Sequence, residues 1–401
     1  MLMAAIMATA CSAQPEIPAF ARATALPAAR APTPSPTPAP SPLGADLRLL
    51  SFGPDQSVAF EIVPTDVSWS ISVTGAGPED LVGIRRVSNP AGDTRYLADL
   101  RDEVLLVDDL HPKVLADAGA VGLYVTSSPT EDLASGTWSV DVVSNAGQPH
   151  VQVLIRSGET TAMQQLDIVG WVTADIADLG IVEAGWRQQM DAILGPHGMQ
   201  IGRLDLIVAA DAGAPYVRLG VDGLASEVHD ACTAASQATG APPRAALVIL
   251  SEHIGEGVLT ADAFVQAGQG VAYRRPDGTI DGFAVATPGT PVIGPASHGC
   301  VAVRAGDNPQ ERGQIALHEI LHQAGLSRHT TEREGRDFDL FDDTPQCPLR
   351  EFDSDHDLQV NRVECGSEDG DNLMFWAVGG TGLSAEQAWR VRNHPLLHPA
   401  G

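Results

Sequence analysis

His318 and His322 stand four residues apart, with Glu319 directly after the first of them, in the stretch ERGQIALHEILHQAGL. On a helix, both imidazoles project from one face and can share a metal ion. The start signal supports a helix: Asn308 suits the N-cap, Pro309 the first helical position and Glu311 the third. Ile315, Ile320 and Leu321 give it a face to bury. Neutral imidazoles would leave zinc its Lewis acidity and an open position for water and then a carbonyl. Glu319 is placed to take a proton from that water. Gly325 can adopt a left-handed conformation, end the helix and turn the chain back towards the metal.

These residues resemble the metzincin metallopeptidases, whose pattern is H-E-x-x-H-x-x-G-x-x-H followed later by a methionine turn. His318, Glu319, His322 and Gly325 match it directly, and Asp371-Asn372-Leu373-Met374 looks like the methionine turn. The resemblance would put Met374 beneath the zinc as an apolar floor. His329-Thr330-Thr331-Glu332, followed by Asp342-Asp343-Thr344-Pro345, is similar to the pappalysin-like branch. Over roughly residues 166–389 the resemblance implies zinc on His318, His322 and His329, with Glu319 as the base in peptide-bond hydrolysis. One position departs from the pattern. The eleventh residue is Arg328, which stays protonated and cannot ligate a metal, and the histidine follows at His329. His329 must therefore reach in through a loop one residue longer; otherwise it is solvated and another group completes the shell.

Between Gly335 and Asn372 twelve acidic residues face three arginines. Within that segment Asp353, Asp355, Asp357, Gln359, Asn361 and Glu364 follow an EF-hand-like spacing of oxygen donors. Leu358 occupies the position where such loops carry glycine, and no helix is evident on both sides. Calcium is the expected occupant, against a solvated acidic loop, because clustered carboxylates repel without a counter-ion.

A formal charge of -27 argues against a nucleic-acid partner, since phosphate binding needs clustered Lys and Arg. Residues 1–11, MLMAAIMATAC, form an apolar run too short to span a bilayer. Ala8-Thr9-Ala10-Cys11 resembles a bacterial lipobox with Cys11 as the lipidated residue, although no Lys or Arg precedes the run; an ordinary signal with an incidental cysteine is the alternative. Residues 12–44 are rich in Pro and Ala and read as a spacer. Such a protein belongs outside the cell or on its surface, as an outer-membrane lipoprotein touching the membrane only through its anchor. Four cysteines remain, with three connectivities open. Cys347 and Cys365 flank the acidic segment and pair first; Cys232 with Cys300 comes second, and free thiols are the alternative.

Two units must position these groups. Residues 45–160 carry short alternating strands punctuated by Gly, Pro, Asn and Asp, which points to an antiparallel β-sandwich. Residues 161–401 alternate strands with helices, including helices near Glu183–Leu194 and Leu224–Ala235, which points to an α/β domain with a mixed sheet. The fold expectation is thus multidomain α+β, with a metzincin-like catalytic half. The function expected is a zinc endopeptidase acting on extracellular proteins or peptides. Its rival is an inactive metzincin-like surface lipoprotein that works as a binding or adhesion module.

Overall fold

The computed structural model describes residues 43–400, apart from 54–56, 76–81, 100–103, 109, 111–112, 116–119, 146–148, 159–160, 175, 209–215, 218–225, 255–270, 275–279, 286–298, 367–368 and 378. Cys11 and the spacer lie outside the described residues.

The N-terminal part is antiparallel throughout. One five-stranded sheet runs β1 (Leu47–Phe52), β10 (His150–Ser157), β3 (Asp66–Thr74), β8 (Ala120–Thr126), β7 (Lys113–Leu115). The other runs β2 (Ser57–Ile62), β9 (Gly136–Ser144), β4 (Val82–Ser88), β5 (Thr94–Asp99), β6 (Val104–Asp108). Alternate residues of both sheets meet in one core, centred on Trp69, which packs edge-on against Phe60 and Trp138. The alternation in VAFEI and in TWSVDVV is what makes those strands legible. Strands β5, β6 and β7 were not expected, because TRYLAD and VLLVD lack a clean period of two.

The C-terminal part is built on a seven-stranded mixed sheet. Its parallel centre is β12 (Met199–Val208), β11 (Gln164–Val172), β14 (Ala246–Ser251) and β18 (Cys300–Arg304). Then β17 (Ile280–Val285) and β16 (Val271–Arg274) continue one side antiparallel, and β19 (Leu397–Pro399) pairs antiparallel with β11. The short strands β13 (Tyr216–Val217) and β15 (His253–Ile254) pair separately. Helix α1 spans Leu179–Leu194 and starts a turn earlier than expected, because the Asp178 side chain accepts from the N–H groups of Gly180 and Ile181. Helix α2 spans Ser226–Thr239 and α3 spans Pro309–Gln323. One-turn helices α4 (Leu349–Phe352) and α5 (Arg362–Cys365) and the longer α6 (Ala385–Arg392) follow.

Helices α1 and α3 lie against each other because glycines leave room: a Cβ on Gly313 would come 2.7 Å from the Trp186 backbone, and one on Gly185 2.5 Å from Pro309. Disulfides join Cys347 to Cys365 and Cys232 to Cys300. No helix among the described residues is long and apolar enough to cross a membrane.

Candidate metal centre

Helix α3 opens as its sequence indicates, with Asn308 accepting from the Glu311 N–H at 3.2 Å and Pro309 in the first turn. Every residue from Arg312 to Gln323 is buried, so the helix is enclosed on all sides rather than along one stripe. It ends at Gly325, whose φ of +99° needs glycine, while the Leu326 N–H bonds to the Leu321 carbonyl at 3.0 Å.

The chain returns through Ser327 and the exposed Arg328, and His329 points inward, 3% exposed. The Nε2 atoms of His318 and His329 are 3.2 Å apart, and those of His322 and His318 are 3.1 Å apart. Each imidazole is turned by an acceptor on its other nitrogen. Nδ1 of His318 donates to the Leu373 carbonyl at 2.6 Å, Nδ1 of His322 to the Leu326 carbonyl at 2.6 Å, and Nδ1 of His329 to Glu332 at 3.0 Å. With the protons on Nδ1, three lone pairs face one another across a small gap. They cannot satisfy each other; a cation can satisfy all three. A tetrahedral ion with bonds of about 2.0–2.1 Å holds its ligand nitrogens about 3.3 Å apart, close to the spacing found here. Burial, and next the neighbouring His329, hold His318 well below the usual imidazole range, while the Leu373 carbonyl pulls the other way. His318 is therefore a neutral donor at ordinary pH.

The methionine-bearing turn is tied to both ends of this cluster. Leu373 supplies the acceptor for His318, and the Met374 carbonyl accepts from the Thr330 N–H at 2.9 Å, one residue after His329. Met374 itself is fully buried in the same core as Leu317 and Leu321. Asn372 closes the turn by accepting from the Met374 N–H at 2.8 Å. On the other side, Thr331 donates to the buried Asp369 and accepts from the Cys347 N–H at 3.0 Å, which couples the His329 loop to the Cys347–Cys365 disulfide.

Glu319 is wholly buried one residue after His318. Strand β17 passes so close that a Cβ on Gly282 would lie 2.6 Å from the Glu319 carboxylate oxygen. Gly282, and the role of Glu332 as the partner of His329, were missed in the sequence. Glu332, three residues from His329, was visible as a spacing; the carbonyls of Leu326 and Leu373 and the approach of Gly282 depend on tertiary structure and leave no signature.

In the acidic segment the structure brings together Asp353, Asp355 and Glu364, one oxygen from each lying within 4.8 Å of the others. It gives the side chains of Asp357 and Asn361 other partners. Asp357 accepts from the Gln359 N–H at 2.9 Å, and Asn361 caps α5 through the N–H groups of Val363 and Glu364, while the Gln359 side chain accepts from Arg333 and leaves the backbone carbonyl expected of it untouched. Leu358, in the glycine position, adopts φ +65°, and His356 adopts φ +63°. One-turn helices do flank the loop, contrary to the sequence reading.

No family model matches the chain, and no curated protein matches it. Among solved structures, metalloproteinase-II from Bacteroides fragilis aligns with 46% of this chain and 54% of its own, at 10% identity and a TM-score of 0.28. A Bacillus subtilis protein aligns at 11% identity and TM-score 0.12, covering 49% of this chain and 56% of its own. The CBM22-1 and GH10 modules of a Clostridium thermocellum endo-1,4-beta-D-xylanase align at 8% identity and TM-score 0.13, covering 53% of this chain and 43% of theirs. The chain thus spans about half the length of the structures it is similar to.

Proposed function

We propose that this protein is a zinc-dependent endopeptidase of metzincin-like type, with His318, His322 and His329 as ligands and Glu319 as general base. The observation that supports it best is the convergence of three buried imidazoles, each with its proton on the far nitrogen, beside a buried carboxylate on the same helix. Zinc bound there would supply Lewis acidity towards a peptide carbonyl and an attacking water. Glu319 takes the proton of that water and passes it to the leaving amine. Glu332 orients His329 and strengthens it as a donor, and the Leu373 and Leu326 carbonyls do the same for the other two. Met374 closes the site from below. In this reading residues 161–401 form the catalytic domain, and Asp353, Asp355 and Glu364 hold calcium. The disulfides and the leader-like N-terminus suit an extracellular or surface location, with Cys11 as the lipid anchor. Proteins or peptides are the partners.

Glu319→Gln should keep near-stoichiometric zinc and lose at least about 10²-fold in peptide hydrolysis, the usual scale for a general base. His318→Ala or His322→Ala should lose both. Full hydrolysis by the Glu319→Gln protein would overturn the mechanism. Zinc binding without hydrolysis of any protein or peptide by the parent would favour the binding-module reading instead.

A further inference from the structure

Nothing in the sequence of residues 45–160 suggests a role for the sandwich. Its contacts do. Tyr124, at the end of β8, is buried, and its ring lies where a side chain on Gly325 would have to go: a Cβ there would sit 2.6 Å from Cδ1 and 2.9 Å from Cε1. Arg390 of α6 stacks its guanidinium over the same ring at 4.9 Å. Its Nε donates to the Gly325 carbonyl at 2.7 Å and its Nη2 to the Tyr124 carbonyl at 3.0 Å, while the Tyr124 hydroxyl donates to the Arg390 carbonyl at 2.9 Å. Ring, guanidinium and glycine thus form a closed loop of contacts at the exit of α3.

That exit is the hinge of the cluster. Gly325 lies between His322 and His329, and the next residue, Leu326, supplies the carbonyl that turns His322. A carbonyl displaced at Gly325 moves the Leu326 peptide with it, and then both the aim of His322 and the start of the loop that carries His329. Other contacts across the interface include an apolar one, where Ala120 packs in one cluster with Leu247 and Phe283, and several polar ones. Ser68 donates to the Asn393 carbonyl at 2.6 Å, Arg156 to the His394 carbonyl at 2.9 Å, and Arg244 joins Asp46 at 2.7 Å to the Pro395 carbonyl at 3.0 Å. Such contacts hold the sandwich in place; Tyr124 and Arg390 are the ones that meet the Gly325 turn directly.

We propose that the β-sandwich is a working part of the metal centre, with Tyr124 and Arg390 as positioning residues that clamp the Gly325 turn and so set His322 and His329 for the ion. The proposal rests on the reading that these histidines hold a metal. It assigns the sandwich a structural duty at the site, in place of a separate recognition role.

The test is metal affinity in the full chain, measured by competition of the parent and variants with a chelator of known affinity, using zinc and then cobalt with its visible spectrum. Arg390→Gln and Tyr124→Leu should weaken metal binding about 10- to 100-fold, the usual effect of losing support behind a ligand, and should alter the cobalt spectrum. Tyr124→Phe keeps the ring over Gly325 and should stay within about threefold of the parent. Arg244→Gln loosens the same interface far from Gly325, so it should lower the melting temperature and leave affinity unchanged. Should Arg390→Gln fail to fold, Arg390→Lys keeps the charge, loses the fork and reads the same change. Folded Arg390 and Tyr124→Leu variants with parental affinity and spectrum would overturn the proposal, as would an equal loss in Arg244→Gln. A parent that binds no metal at all would instead sink the metallopeptidase reading beneath it.

Discussion

Gly282→Ala is the substitution that most directly tests where catalysis resides. Gly282 belongs to no motif, and its backbone needs no positive φ, so alanine brings no local strain; the whole effect comes from the methyl group. That methyl would lie 2.6 Å from Glu319 Oε1, 2.8 Å from its Cγ and 2.7 Å from Ile315 Cγ2. Ordinary contact begins near 3.4 Å, so the neighbours must withdraw by roughly 0.6–0.8 Å. The strand cannot easily give. Asp281, the residue before, is fully buried and paired to Arg304 at 2.7 Å and to Arg312 of α3 at 3.0 Å. Ile315, buried in the core, can give only by repacking its own side chain, which costs stability rather than catalysis. The carboxylate arm of Glu319 is the softest neighbour and should move. Displacements of about 1 Å in a catalytic group can cost about 10²-fold, while overpacking costs about 1–3 kcal/mol. Gly282→Ala should therefore bind zinc like the parent, lose about 10- to 100-fold in kcat and melt several degrees lower. Gly185→Ala serves as the control. Its methyl would meet Pro309 at 2.5 Å, crowding the α1–α3 contact without touching Glu319, so it should lose stability but keep kcat. Parental kcat in Gly282→Ala, or an equal kcat loss in Gly185→Ala, would refute the reasoning.

His329→Ala should lower zinc affinity sharply while Arg328→Ala leaves it nearly intact, and a zinc-bound crystal structure should show His329 Nε2 at about 2.0–2.1 Å from the ion; an Asp or Glu in its place would refute the ligand set. Calcium at about 100 times its dissociation constant should add roughly 2.7 kcal/mol of stability through Asp353, Asp355 and Glu364, seen as a higher melting temperature than in a calcium-selective chelator; Asp353→Asn with Asp355→Asn should abolish the difference, and identical midpoints in the parent would leave a solvated loop. Burial raises Asp339 from 3.8 to about 6, against hydrogen bonds from Thr344 and the Phe341 N–H. The fold therefore favours its protonated form, and the stability present below about pH 4 is lost as pH rises through about 6, by up to about 3 kcal/mol. Asp339→Asn should flatten that part of the profile in urea melts; an unchanged profile would place the titration elsewhere.

The centre of the site was legible because its grammar is local. The spacing of His318 and His322, the cap at Asn308 and Pro309 and the stop at Gly325 all act within one helix and its ends, where period and capping decide conformation. The strands of the sandwich with strict alternation were readable for the same reason, and β5 and β6 were not, because neither TRYLAD nor VLLVD alternates apolar with polar residues. The acidic loop shows the limit of spacing as an argument. Its oxygen donors follow an EF-hand-like order in sequence, yet that order assumes one fixed backbone path. The Asp357 and Asn361 side chains instead bond to nearby backbone N–H groups, as Asp and Asn do in turns and at helix starts.

The one departure from the motif, Arg328 in place of the third histidine, has a physical resolution in the structure. An extra residue between Gly325 and His329 costs little in loop entropy but would leave the imidazole free to turn. Three contacts remove that freedom. Thr330 is pinned to the Met374 carbonyl, Thr331 is shared between Asp369 and the disulfide-bound Cys347, and Glu332 holds Nδ1 of His329. The residues after the histidine thus do what the shorter loop would have done before it. Arg328, outside that frame, is exposed and keeps its charge in solvent. The longer loop is tolerated because the methionine turn and the cystine beside it are themselves fixed, and the segment that looked like a flaw in the pattern is braced from its far side.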